Sequence, residues 1–78
     1  MYAHVQNPTT GNFTVDFMGK ETSAEITVLN FQGKKVSGLI CNNQTQADIN
    51  INYLPSGLYI IIIKTDTEII KKKVIKIK

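Results

Sequence analysis

Leu54-Pro55-Ser56-Gly57-Leu58-Tyr59-Ile60-Ile61-Ile62-Ile63-Lys64 is the stretch that decides the fold. Leu58 to Ile63 is an unbroken apolar run of strand length, rich in β-branched residues. It carries no charge and no Pro, so left open to water it would template aggregation. The run is therefore read as a central strand covered on both faces. Lys64 on its flank, and a lysine-laced neighbour strand, act as gatekeepers. Ahead of the run lies a turn. Leu54 is expected to plug the core, Gly57 to permit the bend and Tyr59 to face inward. An inward tyrosine needs a partner for its hydroxyl. In β-sandwiches a tyrosine after such a turn often bonds an upstream backbone group.

Working outward, the rest of the chain reads as strands cut by turns. Phe13 to Phe17 alternates, with Phe13, Val15 and Phe17 on one face. Ile26-Thr27-Val28 and Val36 to Ile40 follow, joined by Asn30-Phe31-Gln32-Gly33-Lys34, with Gly33 at the left-handed position of a short hairpin. Ile49, Ile51 and Tyr53 alternate with Asn50 and Asn52. Ile69 to Ile77 is the last strand, and Asp66-Thr67 forms the tip of its hairpin. Asn7-Pro8-Thr9-Thr10-Gly11 is a turn, and Asn42 to Gln46 reads as a polar loop. No segment has helical apolar spacing. Residues 1–78 are expected to form one domain: an all-β, small antiparallel immunoglobulin-like β-sandwich of six or seven short strands.

Composition narrows the function. All nine basic residues are Lys, against six acidic ones, for a net charge of +3. Without Arg or Trp the chain lacks the forks and platforms of a specific nucleic-acid reader, so no nucleic-acid partner is expected. No apolar window is long enough for direct membrane insertion. Cys41 stands alone, which forbids an internal disulfide and favours a buried thiol packed as a small hydrophobe. His4 is the single histidine and lies near an end expected to be mobile, too isolated to pair with Cys41 for catalysis. The carboxylates are scattered over polar faces and turn tips, and no phosphate loop is present. Neither enzymatic activity, nor a metal, nor a cofactor is expected.

Lys71, Lys72, Lys73, Val74, Ile75, Lys76, Ile77 and Lys78 make up the lysine-laced end of the last strand. Two readings compete for it. One is an edge strand guarded by charge. The other is a strand that docks on a receptor sheet edge, steered by its lysines toward an acidic surface.

Four motifs, in order and at natural spacing, resemble the C-terminal sorting domain of the type IX secretion system. The opening motif is Asn7-Pro8-Thr9-Thr10-Gly11-Asn12-Phe13-Thr14-Val15. Gln6 stands where the family usually has a first Pro, and Val5 where it has an aromatic residue. The second motif is Ile26 to Val36, including Gly33, Lys34 and Val36. The third is Leu54, Gly57 and Tyr59 with their apolar tail, and the fourth is Lys71 to Lys78.

The resemblance implies a fold and a route. The parent protein would cross the inner membrane on a separate N-terminal signal and fold in the periplasm. Outer-membrane components of the type IX translocon would recognise the module. A sortase-like cysteine protease would remove it, leaving cargo at the cell surface or outside the cell. By this resemblance Lys71 to Lys78 is the recognised element. Asn7, Pro8, Gly11, Phe13, Gly33, Lys34, Val36, Leu54, Gly57 and Tyr59 are motif residues that hold the fold. The alternative is a fibronectin-like or adhesin-type interaction module of a surface protein.

Overall fold

The computed structural model describes residues 3–5 and 7–77. Seven strands follow one another: β1 (His4–Val5), β2 (Asn12–Asp16), β3 (Thr22–Leu29), β4 (Lys35–Gln44), β5 (Gln46–Asn50), β6 (Gly57–Lys64) and β7 (Ile69–Lys76). They form a three-stranded sheet in the order β1-β2-β5 and a four-stranded sheet in the order β4-β3-β6-β7. All neighbours within the sheets pair antiparallel. The chain is the expected all-β sandwich.

Alternation builds the core between the sheets. Phe13 and Val15 of β2, Ala24, Ile26 and Val28 of β3, and Ala47 and Ile49 of β5 all point inward. Tyr59, Ile61 and Ile63 of β6 join them, with Val74 from β7. Phe17 and Ile51, just past their strands, are buried as well. Cys41 is buried too, its Sγ 3.6 Å from Ala24 O.

The turns close as their residue types dictate. In the β3–β4 hairpin Asn30 Oδ1 accepts from Gln32 N and Lys34 N, at 2.9 and 3.0 Å. Gly33 takes φ 83° there, a left-handed value that an L side chain resists. Gly11 takes φ 144°, which an L side chain also resists, and a Cβ there would lie 3.2 Å from Asn52 Cα and run into the Asn52 side chain. At the β6–β7 tip, Thr65 N donates to Glu68 O, and Thr65 Oγ1 accepts from Thr67 N and Glu68 N. Asp66 and Thr67 occupy the tip between them.

Four expectations change. The polar stretch Asn42 to Gln46 is strand, not loop. β4 runs through Gln44, still paired with Thr22, and Thr45 alone separates it from β5. The polarity marks a bulge: the register shifts between Thr22 and Ala24, and Asn43 takes φ 50°. Asn43 N donates to Ser23 Oγ at 3.1 Å, so side chains fill in for the disturbed ladder.

Tyr53 does not extend β5. Asn50 Oδ1 accepts from Asn52 N and ends the strand in an Asx turn, leaving Tyr53 66% exposed with its hydroxyl on Val36 O. His4 is held rather than loose, since β1 pairs it with Asp16. Finally, β6 is central within its sheet but is covered on one face only. Leu58 is exposed, and Ile60 and Ile62 are half-buried.

A candidate docking strand

β7 ends the four-stranded sheet, so one of its sides faces away from β6. Which backbone groups point there follows from the pairing. Leu58 lies opposite Ile75, and Tyr59 opposite Val74. Thr9 N donates to Ile75 O at 2.9 Å, and Ile75 N donates to Asn7 Oδ1 at 2.9 Å. The Ile75 groups therefore point outward. Backbone direction alternates along an antiparallel strand, so the N–H and C=O of Lys73, Lys71 and Ile69 point outward too.

That outer edge has two halves. At Ile75 to Ile77 it is strapped by the Asn7–Thr9 turn, which adds the bond from Ile77 N to Thr9 O at 2.7 Å. Thr9 makes a single parallel bridge with Lys76. From Ile69 to Lys73 no strand among the described residues pairs with the outer edge.

The lysine-laced residues thus divide. Lys71, Lys73, Ile75 and Ile77 are exposed. Lys72 is half-buried. Val74 is wholly inside the core and offers no surface. Lys76 turns its ammonium onto the carbonyls of Leu54 and Asn52, clamping the loop before β6. Lys78 lies outside the described residues.

The other motif residues serve the frame. Tyr59 Oη donates to Pro55 O at 2.6 Å, the corner clamp read from the sequence. Phe13 is buried, and Val36 and Leu54 pack against the core from its rim. Lys34 contributes its backbone N–H to the Asn30 cap. Gly57 opens β6, and Pro8 stands exposed in the strap between Asn7 and Thr9.

Thr9 is the residue the sequence reading passed over. It is 2% exposed, its Oγ1 donates to Asn12 O and accepts from Gly11 N, and its backbone covers the end of β7. A threonine two places before a turn glycine carries the local signal for that hydroxyl bond. Its long-range partner leaves no trace in the sequence.

Among the described residues no three His, Cys, Asp or Glu side chains converge on a point that could hold a metal ion. No curated protein matches the chain. A family model, the secretion system C-terminal sorting domain, matches residues 7–78. Domains of this family are the non-catalytic sorting signals of type IX secretion; they engage that system, and their cargo ends at the cell surface or outside the cell. With the sandwich, the motifs and this match in agreement, the chain belongs to the secretion system C-terminal sorting domain family.

Proposed function

We propose that this domain acts by offering the open half of β7, Ile69 to Lys73, to the outer-membrane components of the type IX translocon. The observation that carries the reading is the unpaired outer edge of that half. A receptor strand laid beside it would gain main-chain hydrogen bonds from Lys71 and Lys73, whichever cargo precedes the domain. The two exposed ammonium groups would steer the encounter toward an acidic surface. The domain works as a signal and not as an enzyme. It reaches the receptor from the periplasm, and a sortase-like cysteine protease separates it from its cargo afterwards.

The test is a periplasmic reporter fused ahead of the chain, in a host carrying the system. Removing residues 74–78 would stop delivery, but it also takes Val74 out of the core. Lys71→Pro is cleaner. It deletes one outward N–H, costs no bond to β6, and places a ring where the incoming strand must lie. Surface delivery is expected to fall about tenfold or more, with the circular dichroism of the wild type. Undiminished delivery by the folded variant would defeat the edge-pairing reading.

A further inference from the structure

The apolar run of β6 has a composition suited to burial on both sides, yet only one side is buried. Tyr59, Ile61 and Ile63 enter the core, while Leu58, Ile60 and Ile62 form an aliphatic strip on the opposite face. No element among the described residues is layered over it. The pairing with β7 sets Lys71 beside Ile62, Lys73 beside Ile60 and Ile75 beside Leu58. Directly paired residues share a face, so this side of the sheet is an aliphatic strip bordered by two cations. Lys64 lies on the same face but has a carboxylate, Glu25, directly opposite it in the strand pairing. Lys71 and Lys73 have no acidic neighbour across β6, where they face isoleucine.

We infer that the outer face of the four-stranded sheet is a second docking surface, for a protein with an aliphatic centre bordered by carboxylates on the β7 side. This rests on the sorting reading, because the partner is placed in the secretion machinery. It is nonetheless a separate contact: side chains facing out from the sheet, rather than backbone at its edge.

Charge selects the occupant. A second copy of the chain would set its own lysine row against Lys71 and Lys73, or cover them with Gly38 and Ile40 of β4, while Glu25, the one carboxylate among the paired outward residues of this face, stands across from Lys64. Either arrangement desolvates ammonium groups without partners. A lipid surface fits poorly because Ile60 and Ile62 are half-buried while Lys71 and Lys73 beside them are exposed, whereas membrane-seated apolar groups project. A protein surface can follow the strip and supply carboxylates at the same time.

The experiment titrates the 78-residue chain against purified outer-membrane translocon components in detergent. The double variant I60T/I62T keeps β-branched shapes and leaves the inner face alone. It is expected to lose about tenfold or more in affinity, with an unfolding midpoint near the wild type. K71E/K73E should lose a similar amount, whereas K71R/K73R should bind as the wild type does, with affinity falling as salt rises.

Wild-type binding by I60T/I62T, alongside weak binding by Lys71→Pro, would overturn the face and leave the edge reading standing. The reverse pattern would leave the face and remove the edge. Concentration-dependent dimerisation of the wild type that I60T/I62T abolishes would assign the face to a second copy and overturn the inference. So would binding to vesicles containing anionic lipid that the same variant abolishes. Absence of any binding by the wild-type chain would also overturn it.

Discussion

The two sheets share one core but present opposite outer surfaces. On the three-stranded sheet the outward positions are His4, Asn12, Thr14, Asp16, Gln46, Asp48 and Asn50. Every one is polar, and Thr14 Oγ1 donates to Asp48 Oδ1 at 2.9 Å across the strands. On the four-stranded sheet the outward row of β6 is Leu58, Ile60 and Ile62 before Lys64 is reached. The sequence carries the difference openly. Gln46-Ala47-Asp48-Ile49-Asn50 alternates, as a strand with one wet face should, whereas Leu58 to Ile63 does not alternate at all. Alternation is satisfied by this fold alone. The unbroken run is only half satisfied, and its remaining half calls for another surface.

The largest effect should separate the two faces of β6. Ile61 is fully buried, and Ile61→Ala should cost about 2–5 kcal/mol through lost transfer energy and the cavity left behind. Ile62→Ala, one residue on, removes the same atoms from a half-buried outer position and should cost about 1 kcal/mol or less. Urea unfolding of the two variants checks the contrast. Equal losses would mean that the outer face is already sealed and leaves nothing for a partner to cover.

The strands were legible where period 2 was unbroken and the turn chemistry local. Phe13, Val15 and Phe17 share a buried face as their spacing requires, and Gly33 takes the left-handed conformation of its hairpin. Misreadings came where polar residues do backbone work. Asn42 and Asn43 look like a loop because nothing local distinguishes a loop from a bulged strand whose side chains replace ladder bonds. Asn50 ends β5 before Tyr53 can join it.

For the candidate site, the lysines marked the strand but not its division. That Val74 is core, that Lys76 is committed to the carbonyls of Leu54 and Asn52, and that Asn7 and Thr9 strap the last residues all depend on pairings far apart in sequence. Single-chain patterning does not encode such pairings.

A middle-sized effect should come from the corner that aims β6. The Tyr59 hydroxyl donates to Pro55 O in a largely buried setting. Tyr59→Phe keeps the ring in the core and leaves that carbonyl without its donor. The expected loss is about 0.5–1.5 kcal/mol, read from the shift in the urea midpoint at unchanged slope. No loss would mean that water satisfies Pro55 O equally well, and that the ring alone fixes the entry into β6.

The smallest effect is expected on the wet sheet, and its smallness is informative. Thr14→Val removes the hydroxyl that meets Asp48, an exposed bond exchanged freely with water. Valine is as good a strand former as threonine, so the change should stay within about 0.5 kcal/mol of the wild type. The polar outer face of the three-stranded sheet then serves solubility and not cohesion. A second substitution sharpens the point. Asp48→Val would place an aliphatic pair across β2 and β5, a small copy of the Ile60 and Ile62 strip. If T14V/D48V remains monomeric in sedimentation equilibrium at stability near the wild type, the sandwich tolerates a dry patch on either sheet, and polarity of the β2–β5 face is not a condition of folding. A loss well beyond 1 kcal/mol would instead tie the polarity of that face to the fold itself, weakening the contrast between the two sheets.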